Sequence, residues 1–350
     1  MIDSAATPRA IDLHSHIVTA DVLRLLEREG ADFDTRIIDR DGQRLFLIAE
    51  TATRPINPKV IGLNDGAARR ADMDAEGIER AALTCVPFVM YPGVEPERAL
   101  TVAQTHNDSV ATLAARQPER FVGMATVPLQ APALAARELE RAHKLGLVGV
   151  MISPSIQGQA LDEPTFEVFW DAAEALNALV FIHPFDAAPS GLLARYNLGN
   201  LVGNLIDTGL AAAAIICGGV LDRHPRLRVL LAHAGGTLPA ILGRIDDGFQ
   251  RFPEMRSRLA RRPSTYLSQL WLDTIAFNPP LLRSLIAQYG ADRFVVGSDY
   301  PVGGPPHPVA EVQTLGLSSA EESAILRLNA LALLESNQGG GQASSCPGTS

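Results

Sequence analysis

Lysine is almost absent from this chain: 350 residues contain only Lys59 and Lys144. No lysine-rich block can form, and a formal net charge of −9 argues against nucleic acid or an anionic membrane as a partner. An acidic small molecule remains admissible, because local arginines can outweigh a distant negative surface. Cysteine is nearly as scarce. Cys85, Cys217 and Cys346 are odd in number, far apart and form no CxxC pair, so neither a disulfide framework nor a cysteine-based zinc site is expected. Cys85 and Cys217 lie in apolar runs and read as buried thiols, which suits a reducing cytoplasm. Met1 to Arg9 has no basic-then-apolar leader pattern. The longest apolar stretch, 210–220, is too short to cross a bilayer and is broken by Gly218-Gly219. These absences predict a soluble cytoplasmic globular protein.

Apolar residues, by contrast, are abundant at 47%, enough for a sizeable core in one domain. Eight strand-like runs follow one another at 9–16, 80–87, 120–128, 146–154, 178–185, 227–236, 270–277 and 294–301. Segments between them, such as 97–116, 131–145, 163–176, 236–249 and 280–289, repeat apolar residues at three- and four-residue spacing. Near-continuous apolar strands alternating with amphipathic helices signal a parallel sheet covered by helices. Eight such units at this length predict a (β/α)₈ barrel, an α/β fold, over residues 1–335. A doubly wound open sheet fits less well, since no GxGxxG turn follows the first strand. An insertion spans about 17–62, with a hairpin centred on Asp41-Gly42, and should emerge on the barrel face where active sites form. Residues 336–350, rich in Gly, Ser and Gln, read as a disordered tail.

Five potential metal ligands end these apolar runs. His14 and His16 sit two apart at the end of the first, so a strand projects both imidazoles the same way. His183 ends the fifth, His233 the sixth and Asp299 the eighth. In a barrel all strand C-termini converge on one mouth, so these residues should meet. Imidazoles with one carboxylate suit a single Zn²⁺ with an open coordination position, iron, cobalt or manganese being the other candidates. Two metals bridged by a carbamylated lysine are disfavoured, because neither lysine ends a strand and the fourth run ends in Met151-Ile152-Ser153-Pro154. Three of the histidines and Asp299 would complete the protein's share of the ligands, leaving the fourth histidine as acid or base. Ala234-Gly235-Gly236 after His233 reads as a small-residue turn that lets substrate approach. His106, His143 and His224 look structural, and His307 lies close enough to Asp299 in sequence for a place near the mouth.

These motifs, with Ala71-Asp72-Met73-Asp74, His183-Pro184-Phe185-Asp186, Leu242-Gly243-Arg244 and Gly297-Ser298-Asp299-Tyr300-Pro301, resemble the amidohydrolase superfamily. Leu-Gly-Arg and Arg54-Pro55 narrow the resemblance to the branch containing aminocarboxymuconate-semialdehyde decarboxylase. It covers nearly the whole chain apart from the tail. The resemblance implies that His14, His16, His183 and Asp299 bind one Zn²⁺ per subunit and that His233 activates the bound water. It further implies that Arg54 and Arg244 grip substrate carboxylates, Arg244 being donated by the neighbouring subunit of a homodimer. Guanidinium forks suit that task. The chain departs from the family pattern at Phe185, at Val302 and across the insertion around 37–53. The resulting expectation is a zinc-dependent decarboxylase, free of organic cofactors, acting on an unsaturated or aromatic carboxylic acid. A hydrolase of a lactone, amide or ring-fission product is the alternative, since one fold hosts both reactions.

Overall fold

The computed structural model describes residues 10–33, 35–40, 43–48, 51–52, 66–184 and 191–335. Eight parallel strands close a barrel: β1 (Ala10–Ile17), β2 (Ile78–Cys85), β3 (Phe121–Thr126), β4 (Gly149–Ile152), β5 (Leu179–Ile182), β6 (Arg228–Leu231), β7 (Leu270–Asp273) and β8 (Phe294–Tyr300). Each pairs with its sequence neighbours, and β1 pairs with β8 to complete the ring. Every residue of β3, β4, β5 and β6 is buried, as strands covered on both faces require. All eight predicted runs became barrel strands. The fourth to seventh are shorter than their apolar runs; β6 stops at Leu231 rather than Gly236, and β7 at Asp273 rather than Phe277.

Helices α1 (Ala20–Glu29), α2 (Ala67–Ala75), α3 (Pro96–Arg116), α4 (Pro132–Lys144), α5 (Glu167–Ala175), α6 (Asn204–Cys217), α7 (Leu238–Arg251) and α8 (Pro279–Tyr289) alternate with the strands. Proline opens α3, α4, α7 and α8 in the first turn, where a missing N–H costs no intrahelical bond. The helices turn their apolar stripes onto the barrel. Phe169 and Trp170 of α5 and Ile215 and Ile216 of α6, for example, are all wholly buried. A helical stretch from Gly199 to Cys217, 19 residues, is long and apolar enough to span a membrane by length and composition. It exceeds the 210–220 window because Asn204, Asp207 and Thr208 interrupt the apolar run without interrupting the helix. Its Thr208, Ala211, Ala212, Ile215 and Ile216 are buried in the fold, while Leu201, Val202, Ile206 and Leu210 are exposed.

The insertion carries α1, a tight turn at Gly30–Phe33 and a three-stranded antiparallel sheet of Thr35–Arg40, Gln43–Ile48 and the short Thr51–Ala52. The register of the first two strands pairs Arg40 with Gln43, leaving the two positions of the expected Asp41-Gly42 turn between them. Those two residues lie outside the described ones. The hairpin packs beyond the C-terminal end of β2: the ring of Phe46 lies 4.6 Å from Phe88, and the Thr35 hydroxyl lies 2.9 Å from that of Tyr91. The insertion therefore stands on the barrel face that carries the site. The tail expected at 336–350 also lies outside the described residues.

Candidate metal centre

Three strand ends, those of β1, β5 and β8, bring His14, His16, His183 and Asp299 together, with one possible ligand atom from each inside a 4.8 Å cluster. His14 Nε2 and His16 Nε2 are 3.2 Å apart, and Asp299 Oδ1 lies 3.4 Å from the first and 3.0 Å from the second. The ring of His183 sits 4.8 Å from those of both His14 and His16, and Phe181, two residues earlier on β5, packs 4.9 Å from His14. The three histidines are buried and Asp299 is nearly so.

The other nitrogen of each ring is committed. Nδ1 of His14 lies 2.6 Å from Asp273 Oδ2, that of His16 lies 2.8 Å from the Cys85 carbonyl, and that of His183 lies 2.7 Å from the Pro184 carbonyl. Since carbonyls and carboxylates only accept, each Nδ1 carries the proton and each Nε2 presents a bare lone pair to its neighbours. His183 Nε2 is buried without any hydrogen-bond partner. Three lone pairs and a carboxylate oxygen converging in a buried space are mutually repulsive until a cation joins them, and this donor set fits a single divalent ion. His14, His16, His183 and Asp299 form the metal-binding site.

The electrostatics agree. Burial, followed by the charges of His16, His14 and His233, pushes the His183 imidazole well below its usual range, so it is a neutral donor. Burial pushes the Asp299 carboxyl up, but hydrogen bonds and charges from His14 and His16 together outweigh it and hold the group well below the carboxylate range. His14 is the exception. Burial opposes its charged form, yet hydrogen bonds and charges from Asp273 and Asp299 together raise it to about 10, so an ion at this site competes with a proton for His14.

His233 stands beside the cluster, its ring 5.4 Å from His14 and 5.3 Å from His183. Burial and the charge of His14 lower its pKa, leaving a neutral imidazole, and its Nδ1 is buried without a partner. It is held on unusual backbone: φ is 56° at His233 and 52° at Ala234, the left-handed region that side chains with a Cβ rarely occupy. The following glycines are also closely packed. A Cβ at Gly235 would lie 2.3 Å from Leu272 Cδ2, and one at Gly236 would lie 2.3 Å from the Leu205 carbonyl. Close packing against β7 and α6 is what requires them.

Two residues that sequence reasoning passed over organise the site. Asp273 ends β7, and its carboxylate accepts from His14 Nδ1 and from the backbone N–H groups of His233, Ala234 and Ile275 at 2.6–2.9 Å. Its signal was a carboxylate ending an apolar strand, the same one that marked Asp299, but the apolar residues after Asp273 concealed it. Arg69 of α2, 1% exposed, donates from Nη1 to Ser15 Oγ at 2.9 Å and from Nη2 to the His16 carbonyl. Its guanidinium also lies 4.7 Å from the centre of the Tyr300 ring. It straps α2 to the strand ends on either side of the ligands, and nothing in its helical segment distinguishes it from a surface arginine.

The arginines divide. Arg54 lies outside the described residues, as does Phe185. Arg244 is exposed on α7, on the outside of the barrel, and takes no part in the contacts of the cluster. His307 is exposed and pairs with Glu76 at 3.1 Å, while His224 Nε2 lies 2.9 Å from Glu167, so neither joins the metal site. Cys85 is a buried free thiol and Cys217 is half-buried.

The sequence and the fold have counterparts among known proteins. The amidohydrolase family profile matches residues 11–335. A 2-amino-3-carboxymuconate-6-semialdehyde decarboxylase from Dictyostelium discoideum is 32% identical over 294 residues, 83% of this chain and 81% of the relative. The structure of 5-carboxyvanillate decarboxylase from Sphingomonas paucimobilis superposes with a TM-score of 0.80 at 26% identity, covering 94% of this chain and 99% of that one. A dihydroxybenzoic acid decarboxylase from Polaromonas sp., solved with bound manganese and the inhibitor 2-nitroresorcinol, gives a TM-score of 0.76 at 25% identity, over 95% of this chain and 98% of that one. The chain belongs to the amidohydrolase family and, within it, to the aminocarboxymuconate-semialdehyde decarboxylase-like metal-dependent carboxy-lyases.

Proposed function

We propose that the protein decarboxylates an aromatic or unsaturated carboxylic acid with Zn²⁺ at the four-residue centre and His233 as the proton-handling group. The observation that carries this reading is the juxtaposition of a buried one-carboxylate, three-imidazole donor set with a fourth, neutral imidazole about 5 Å away, ring centre to ring centre. When bound, the divalent ion supplies Lewis-acid polarisation of a substrate oxygen. The related enzymes act on acids of this class, and the one solved with manganese makes Mn²⁺ the principal rival to Zn²⁺.

The chemistry asked of the chain is modest. The bond between the substrate carbon and its carboxylate breaks, the electron pair stays on that carbon and CO₂ leaves. A proton drawn from solvent and relayed through His233 then forms the new C–H bond. A neutral imidazole suits the relay because it accepts and releases a proton near neutral pH. Arg54, carried on the insertion, and Arg244, supplied by the second subunit of a homodimer, hold an acidic group of the substrate. The exposure of Arg244 on α7 suits delivery to a neighbouring subunit. A reducing compartment such as the cytoplasm suits the free thiols.

The test loads metal-depleted protein separately with Zn²⁺ and Mn²⁺ and supplies hydroxybenzoates and carboxymuconate semialdehydes in ¹⁸O-enriched water. Release of CO₂ with no ¹⁸O in the organic product is expected. Entry of ¹⁸O without CO₂ would replace the decarboxylase by the hydrolase, which needs the same residues. Turnover that survives complete metal removal would overturn both.

A further inference from the structure

Asp273 makes four contacts that no single structural need explains. Its Oδ2 lies 2.6 Å from His14 Nδ1 and accepts the His233 N–H at 2.9 Å, while Oδ1 accepts the N–H groups of Ala234 and Ile275 at 2.8 and 2.9 Å. One oxygen therefore serves both a metal ligand and the backbone of the candidate proton relay. The carboxylate is wholly buried, and Gly297 on the adjoining β8 leaves it room: a Cβ there would lie 2.9 Å from that of Asp273 and 3.1 Å from that of His14.

Each contact fixes something different. A ring that donates Nδ1–H to a carboxylate is locked as the Nε2-coordinating tautomer, held in orientation and made a better donor. At His233 and Ala234 two successive residues adopt φ above 50°. Such backbone persists only where its surroundings over-determine it. The bonds from both N–H groups to one carboxylate supply that constraint, and they aim the His233 ring at the cluster rather than into the outer helix layer. Aspartate alone meets these demands. An asparagine at 273 keeps the shape but replaces one acceptor oxygen with an NH₂ group, which cannot accept.

We propose that Asp273 is a positioning residue that sets the geometry of the metal ligand His14 and of the proton-handling His233 together, so that metal affinity and proton transfer share one brace. The part concerning His233 rests on the function proposed above; the part concerning His14 does not.

The experiment compares wild type with D273N, H233N and the double variant, measuring metal affinity by competition with a chelating dye and kcat and KM by CO₂ release. D273N should lose about 10–100-fold in metal affinity, the range found for outer partners of ligating histidines. At saturating metal its kcat should fall more than tenfold with KM changed less than threefold, and in the H233N background the same substitution should cost kcat less than threefold. Wild type should also show a downfield Nδ1–H proton resonance from His14 that D273N lacks, a signature that general loss of stability does not produce. Metal affinity within threefold of wild type overturns the proposal. So does an undiminished kcat loss in the H233N background. If H233N itself keeps full kcat, the function reading fails instead, and the affinity and resonance arms still decide the His14 part. Should D273N not fold, D273S, which keeps one acceptor, takes its place in every arm.

Discussion

His14 Nε2 and His16 Nε2 lie 3.2 Å apart, with the second nitrogen of each ring already donating elsewhere. Neither can donate to the other unless one ring takes an extra proton, so the pair is built to share a cation. Asp299 Oδ1, 3.0 Å from His16 Nε2, is the charged member of that arrangement. Asp299→Ala leaves three neutral donors around a divalent ion. Metal content after dialysis, read by elemental analysis, is expected to fall to below about a tenth of the wild-type value, a loss at the upper end of what outer-shell changes cause. Unchanged occupancy would remove Asp299 from the ligand set.

His233 should behave in the opposite way. Its ring neighbours the cluster without being needed to complete it, so His233→Asn is expected to retain metal within about twofold. Loss of a positioned acid or base typically lowers turnover about 10²–10⁴-fold. Parallel assays of metal and CO₂ separate the two roles, and metal loss on this substitution would make His233 a ligand instead.

Gly297 tests how tightly the layer beneath the metal is packed. A methyl group there meets Asp273 Cβ at 2.9 Å and His14 Cβ at 3.1 Å, both on backbone anchored in strands and unable to swing aside. Gly297→Ala should therefore cost about 1–3 kcal/mol in unfolding free energy, the usual penalty of overpacking. It should also weaken metal binding by displacing His14. Denaturant melts with and without metal measure both, and a variant as stable as wild type with full affinity would show that the strands yield.

The barrel was legible because a parallel strand buried on both faces leaves an uninterrupted apolar run, and Leu179–Ile182 or Arg228–Leu231 can hardly be read otherwise. The metal ligands were legible for a related reason: a polar side chain ending such a run stands out. Asp273 obeys the same rule but is followed, after Thr274, by Ile275, Ala276 and Phe277, whose apolar character moved the apparent strand end past it. Arg69 was not legible at all, since its burial depends on three partners from β1 and β8 that only the closed barrel brings near. The Gly235-Gly236 pair was recognised as a place of close approach. That Leu272 and the Leu205 carbonyl press against them is a tertiary fact.

His106, wholly buried on α3 and remote in sequence from the ligands, predicts a pH dependence of stability. Burial lowers its pKa to about 4, against an ordinary 6.5, and neither ring nitrogen has a hydrogen-bond partner among the described residues. Above pH 6.5 the imidazole is neutral in both states and its contribution is fully present. As pH falls from 6.5 towards 4 the unfolded chain takes up a proton that the folded one refuses, so stability is lost. At 1.36 kcal/mol per pKa unit, the loss between pH 7 and pH 5 is about 2 kcal/mol. Urea melts across that window should show a shallower decline in His106→Leu than in wild type, and parallel declines would refute the assignment.

Arg244 offers the sharpest test of the proposed homodimer, because it is exposed on α7 and touches none of the cluster residues of its own subunit. His233→Ala and Arg244→Ala should each be nearly inactive when pure. In a mixed dimer, the site with an intact His233 belongs to the Arg244→Ala subunit, and the arginine it needs comes from the partner, which still has one. That site is complete; the other lacks its histidine. Co-refolding equal amounts should place half the chains in mixed dimers with one working site in two, restoring about a quarter of wild-type activity in a two-fold assembly. If Arg244 served its own subunit, neither site of the mixed dimer would be complete and mixing would restore nothing. Activity of Arg244→Ala alone at the wild-type level would deny the residue any part in holding substrate.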